Sequence, residues 1–138
     1  MIAVVKLMRP LNCLIAGVAV WVGAYLTLAP VDLWPVLITS ICAFLIGAAG
    51  NVHNDICDIE IDRVAHPSRV LPSGALSTKA AGSLAVVLTV AAIGFSGLLG
   101  LPLFLVLLSV LAVLYAYNRW LKWVPLVGNL VVALVASA

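Results

Sequence analysis

Five long apolar stretches, separated by short polar or Pro/Gly-bearing connections, set the pattern of this chain. They run over about 11–29, 33–53, 80–99, 101–117 and 124–138. A helix rising 1.5 Å per residue needs about 20 residues to cross about 30 Å of hydrocarbon. The first four stretches meet that length or nearly so. The fifth, opened by Pro125, is still apolar where the sequence stops at Ala138. An apolar run with no flanking charge or interfacial anchor after it is expected to continue, so the chain reads as a piece of something longer. Pro30 and Pro35 flank the first reversal, and Gly97, Gly100 and Pro102 mark the third. Between the second and third stretches lies the one extended polar segment, 54–79. The predicted architecture is all-α: a polytopic transmembrane helix bundle of about five spans.

Composition removes the soluble alternative. The 138 residues are 65% hydrophobic and only 9% charged, and mean hydropathy is +1.28. A soluble domain has about 25% charged residues, and one this poor in charge could not cover its own surface. The net charge of +2 is too small to argue for nucleic acid as a partner; membrane lipids are the expected surroundings. Lys6 and Arg9 precede the first span, Arg63, Arg69 and Lys79 lie between the second and third, and Arg119 and Lys122 between the fourth and fifth. The other two connections carry no Lys or Arg. All the basic residues therefore fall on one side, which the positive-inside rule makes cytoplasmic, with the N-terminus on that side of a cell (inner) membrane. Trp34, Tyr117, Trp120 and Trp123 sit near span ends as interface anchors. Lys6 and Arg9 before an apolar run also mimic a cleavable signal, but the run is too long and further spans follow. Cys13, Cys42 and Cys57 show neither disulfide nor zinc spacing.

Chemistry concentrates in Asn51 to Gly74, NVHNDICDIEIDRVAHPSRVLPSG, which holds four of the five acidic residues within eight positions. On one continuous helix advancing about 100° per residue, Asn51, Asn54, Asp55, Asp58 and Asp62 fall within one arc of about 100°, while Glu60 and His53 fall on the far side. Like charges at i,i+4 repel unless a cation is present. Carboxylate and amide oxygens suit Mg²⁺ or Ca²⁺, and Mg²⁺ is usually held by one or two carboxylates together with substrate phosphates. Arg63, Arg69 and Lys79 are placed to meet the remaining phosphate oxygens, Arg69 bidentately. The plain alternative is a solvated helix end whose acids pair with these cations. Asn12, Tyr115 and Asn129 lie near span ends on the same side as the carboxylate stripe.

These residues resemble the UbiA-type intramembrane prenyltransferase superfamily. Asn54-Asp55, Asp58 and Asp62 reproduce its NDxxDxxxD pattern, and the HPSRVLPSG stretch is similar to its Pro-x-Arg-Pro-Leu-Pro-Ser-Gly loop, with Val70 in place of a proline. Arg9-Pro10-Leu11-Asn12 resembles the family's Arg-Pro-x-Asn, and Tyr115, Lys122 and Gly128-Asn129 resemble its tyrosine, lysine and Gly-Asn positions. The resemblance implies the N-terminal part of a single transmembrane domain that transfers a prenyl chain from a prenyl diphosphate to a lipophilic or phosphorylated acceptor. It implies that Asn54, Asp58 and Asp62, supported by Asp55, hold Mg²⁺ on the diphosphate. Arg69 and Lys122 would bind its oxygens, Tyr115 would face the allylic cation, and Arg9, Asn12, Asn51 and Asn129 would serve as substrate contacts. Asp58, Asp62, Tyr115 and Lys122 are the expected catalytic set. Members that prenylate a glycerol-phosphate ether lipid look closest, from the short N-terminus and the KWVPLVGNLVVAL stretch; quinone-precursor, haem and chlorophyll-tail transferases stay open. The family's second aspartate motif has no counterpart here. Two other classes remain beside it. One is a small cation-binding or transport protein, disfavoured by spans nearly free of charge. The other is a membrane scaffold packed through Gly47-Ala48-Ala49-Gly50.

Overall fold

Arg9 and Pro10 decide how the chain enters its first span. Proline has no N–H to donate and fits the first position of a helix, and here it opens a helix directly after a residue in the left-handed region, Arg9 at φ 52°, ψ 62°. The computed structural model describes residues 2–27, 30–120 and Val124. Its helices are α1 (Ile2–Met8), α2 (Pro10–Leu26), α3 (Leu33–Cys57), α4 (Ile59–Ala65), α5 (Thr78–Gly97) and α6 (Leu101–Arg119). No strand occurs among the described residues. Helix α1, which the apolar pattern did not separate from the chain leading to the first span, meets α2 at a bend of 47°.

Local chemistry sets the other boundaries. The Asp32 carboxylate caps α3 by accepting from the Trp34 N–H at 3.0 Å, and the Ser77 hydroxyl caps α5 by accepting from Ala80 N–H at 3.2 Å. Both satisfy donors that a helix start leaves without partners. The turn between α5 and α6 needs Gly100 at φ 89°, a backbone state that a Cβ disfavours. The stripe-bearing helix is not continuous as the sequence pattern assumed. Asp58, at φ −95°, ψ 2°, ends α3 and precedes α4. The i→i−4 hydrogen bonding nevertheless carries across the junction, Asp58 N to Asn54 O at 2.9 Å and Asp62 N to Asp58 O at 2.8 Å.

Helix α3 is the central element and packs against α1, α2, α5 and α6. Its partners show the register. Against α2, Ser40 Oγ donates to Gly17 O at 2.9 Å, and a Cβ on Gly47 would touch Cys13, so the two helices run antiparallel. Against α5, Cys42 donates to Ala92 O and Val52 packs with Ala81, again antiparallel. Small residues make this closeness possible: Ala48, Ala49, Ala81 and Ala92 are all buried, as membrane helix packing favours.

Large apolar side chains face outward instead. Leu11, Ile15, Val18 and Val22 on α2, Val86, Val87 and Val90 on α5, and Leu101, Leu105 and Val106 on α6 are all exposed. That pattern suits lipid as the surrounding medium, and α3, α5 and α6 are each long and apolar enough to cross a membrane, with the bent α1–α2 pair able to count as a fourth span. The protein is an integral membrane protein with a helical bundle fold. The expected fifth stretch, 124–138, lies outside the described residues apart from Val124.

Candidate active site

The polar residues gather at one end of the bundle, where α2 begins, α3 ends, α5 begins and α6 ends. Asp55, on the last turns of α3, is 7% exposed and forms an ion pair with Arg9. Asp62, on α4, is 4% exposed and accepts a hydrogen bond from Arg69 Nη1 at 2.7 Å. Buried carboxylates of this kind persist only when paired. Arg69 lies within electrostatic reach of Asp55, Asp58 and Asp62 together; the hydrogen bond to Asp62, first among these, holds its guanidinium more firmly protonated than usual. Asp58 is half-buried at the α3–α4 junction.

A short loop aims Arg69. The buried Leu71 anchors it in a cluster with Leu7, Val52 and Ala81, and Val70 packs against the same cluster. The Ser73 N–H donates to Arg69 O at 3.0 Å, and the Arg69 N–H donates to His66 O at 3.0 Å. Valine in place of the family's proline therefore contributes a core contact at that position. Glu60, which the helical phase sets off the stripe, pairs with Arg63 at 2.7 Å on the surface.

The remaining candidates divide. Asn51 turns its amide to the end of α1, donating from Nδ2 to Met8 O at 3.0 Å. Asn54 is half-buried on α3, and Asn12 is exposed on the first turn of α2. Tyr115 is not gathered with the Arg9–Asp55 pair: its ring stacks on His53, centroids 5.0 Å apart, and His53 lies about 160° around α3 from Asp55. Asn118, buried on α6, contacts the His53 ring at Nδ1 over 3.3 Å. Beside this trio a cavity of about 450 Å³ opens between α3, α5 and α6, lined by Ala49, Gly50, Val86, Thr89 and Leu111 among others. Lys122 and Asn129 lie outside the described residues.

Two features escaped the sequence reading. The Arg9–Asp55 pair joins positions 46 apart, which no local spacing announces. The His53–Asn118–Tyr115 contact left no clear signal, since Asn118 falls just past the fourth apolar stretch beside Arg119.

Does this end of the bundle fit a metal ion? Among the described residues no three of His, Cys, Asp and Glu gather closely enough to form a protein-only cation site, and arginines hold Asp55 and Asp62. The donors are hard oxygens, which suit Mg²⁺, and Mg²⁺ commonly takes one or two carboxylates and completes its shell with waters and substrate phosphates. The residues fit an ion of that kind brought together with a phosphorylated substrate.

Comparison with known proteins places the chain among relatives. The profile of the UbiA prenyltransferase family matches residues 14–138. Digeranylgeranylglyceryl phosphate synthase of Thermococcus sibiricus is 38% identical over 133 residues, covering 94% of this chain and 47% of that protein. The enzyme of the same name from Sulfurisphaera tokodaii is 36% identical, covering 96% and 48%. A solved structure, described as bearing on the biosynthesis of digeranylgeranylglyceryl phosphate synthase in membranes, superposes with a TM-score of 0.88 at 29% identity, covering 94% of this chain and 47% of its own. The chain spans about half the length of the relatives it matches.

Proposed function

The chain belongs to the UbiA prenyltransferase family, and from that premise we propose that the full reading frame containing it transfers a prenyl group from a prenyl diphosphate to a glycerol-phosphate ether lipid. In the reaction the allylic C–O bond to the diphosphate breaks, and a C–O bond to the acceptor hydroxyl forms. The hydroxyl proton is released and diphosphate departs. One observation carries the reading: a guanidinium, Arg69, hydrogen-bonded to Asp62 and within electrostatic reach of Asp55 and Asp58, at one end of an apolar bundle. Such a cluster joins cation-binding and phosphate-binding groups at the border of a medium that dissolves prenyl chains.

Asn54, Asp58 and Asp62 are the residues proposed to hold Mg²⁺, with Asp55 supporting. The ion supplies Lewis-acid neutralisation of charge on the departing diphosphate. Arg69 and Lys122 bind diphosphate oxygens, Asn12 and Asn129 orient the substrates, and Tyr115, on the side of α3 that carries His53, offers its ring face to developing positive charge. Apolar helices exclude water from the reacting carbon. The site faces the cytoplasm of the cell membrane in this reading, because the basic residues share its side.

The names of the relatives, digeranylgeranylglyceryl phosphate synthases, support this choice of acceptor class. Their product carries two geranylgeranyl groups on one glyceryl phosphate, so the acceptor is a glyceryl phosphate bearing one such ether. Incubating membranes that contain the full reading frame with geranylgeranyl diphosphate, this acceptor and an aromatic quinone precursor tests the choice. Label appearing in the diether alone is expected. Label in the aromatic product alone would overturn the acceptor, and no transfer to either would overturn the reaction.

A further inference from the structure

The geometry points to a role for Arg9 different from substrate contact: we propose that Arg9 is a positioning residue, which acts through Asp55 and locks α1 onto the end of α3. The inference rests on the reading of this end of the bundle as a prenyl diphosphate site. It begins with the backbone. Arg9 is the one non-glycine residue with positive φ among those described, and a left-handed arginine persists only where its surroundings over-determine it.

Those surroundings are visible on three sides. Pro10 follows and disfavours right-handed helical backbone at the residue before it. The Arg9 carbonyl accepts from the N–H groups of Asn12 at 3.0 Å and Cys13 at 3.3 Å, so the corner is bonded to the first turn of α2. The Arg9 guanidinium reaches the buried carboxylate of Asp55. One helical turn earlier on α3, Asn51 donates to the Met8 carbonyl at the break between α1 and α2, at 3.0 Å, and the Cys13 thiol donates to the same oxygen at 3.2 Å. Two side chains of α3 at i,i+4 thus grip both sides of the corner. Leu7, fully buried beside Val52, closes it from the apolar side.

The consequence for the site is positional. An unpaired Asp55 at this burial would take in water or turn away, and the azimuth of the neighbouring Asn54 and Asp58 would shift with it. With the pair made, α1 and the carboxylate end of α3 move as one piece. A positioning residue and a substrate contact leave different kinetic marks. Truncating a direct contact to bound substrate raises KM; disturbing the arrangement of reacting groups lowers kcat.

The test uses the full reading frame in four forms beside wild type: Arg9→Ala, Arg9→Gly, Asp55→Asn and the double Arg9→Ala/Asp55→Asn. Prenyl transfer and thermal midpoint in detergent are measured for each. Arg9→Ala is expected to lower kcat by roughly tenfold or more with KM for the prenyl diphosphate within about twofold. The double variant is expected to be no worse than Asp55→Asn alone, because Arg9 has nothing left to position. Arg9→Gly should melt above Arg9→Ala, since glycine accepts this backbone freely. A rise in KM with kcat unchanged, or losses that multiply in the double variant, would overturn the proposal. If wild type transfers nothing, the reading of the site has failed, and the thermal midpoints still decide the pairing: additive losses overturn it, non-additive losses sustain it. If Arg9→Ala does not accumulate, accumulation of the double variant supports the proposal and its absence overturns it.

Discussion

Replacing Arg69 by alanine removes the cation that the fold sets among Asp55, Asp58 and Asp62. The most direct loss is at Asp62, 4% exposed, whose carboxylate accepts from Arg69 at 2.7 Å. Deleting one member of a fully buried pair costs about 3–5 kcal/mol. The Arg69 side chain is 39% exposed, so water reaches one end of the pair and the expected loss falls to about 1–3 kcal/mol. A divalent cation should then matter more than before, because no guanidinium competes for the carboxylates. A ligand that binds only the folded state at 100 times its Kd adds about 2.7 kcal/mol, enough to return most of the deficit. The assay is the thermal midpoint of the full reading frame in detergent, with Mg²⁺ or with NaCl at matched ionic strength as the screening control. Arg69→Ala should melt several degrees below wild type and should gain more from Mg²⁺ than wild type does. An unchanged midpoint, or equal recovery with NaCl, would refute the reasoning.

Glu60→Gln should leave prenyl transfer within about twofold of wild type, since an exposed pair such as Glu60–Arg63 contributes about 0–1 kcal/mol. A loss as large as that at Asp58 would sink the assignment of faces. Two glycines of α2 and α3 should part ways on substitution by alanine, read as thermal midpoints. Gly47→Ala meets Cys13 at an ordinary 3.5 Å and should gain about 0.5–1 kcal/mol of helix propensity. Gly17→Ala meets the Ser40 hydroxyl at 3.0 Å and displaces its hydrogen bond, so it should fall below Gly47→Ala by about 1 kcal/mol; the reverse order would contradict the packing of α2 on α3. His53→Ala should destabilise by about 1–3 kcal/mol, because it leaves buried Asn118 without its ring partner and unstacks Tyr115. A midpoint equal to wild type would remove that contact from the account.

Where the sequence could be read, it was read through strong periodic or compositional signals. Hydropathy marks the long helices because a membrane span must be apolar over its whole length. The helix starts after Asp32 and Ser77 rest on capping side chains, which the apolar pattern does not mark. The carboxylate stripe is legible as a helical phase, and that phase holds approximately across the break at Asp58, because Asp58 and Asp62 keep their i→i−4 bonds. The break itself leaves no such trace. Nor does α1: its apolar run is short, and the left-handed Arg9 that separates it from α2 is fixed by partners far along the chain. Contacts between remote residues were the hidden part of the site. Asp55 finds Arg9, Asn51 finds Met8, and Tyr115 finds His53, which the helical phase sets off the stripe. The family resemblance drawn from Asn54-Asp55, Asp58, Asp62 and the loop around Arg69 agrees with the match over residues 14–138.

The central claim, that the aspartates at the end of α3 serve prenyl transfer, is tested most directly at Asp58. Label transfer from geranylgeranyl diphosphate to the glyceryl phosphate acceptor is measured for the full reading frame with Asp58 intact and with Asp58→Ala, both inserted in membranes to the same level. The account predicts transfer by wild type and a loss of at least about 100-fold in the variant. Undiminished transfer by Asp58→Ala would contradict it.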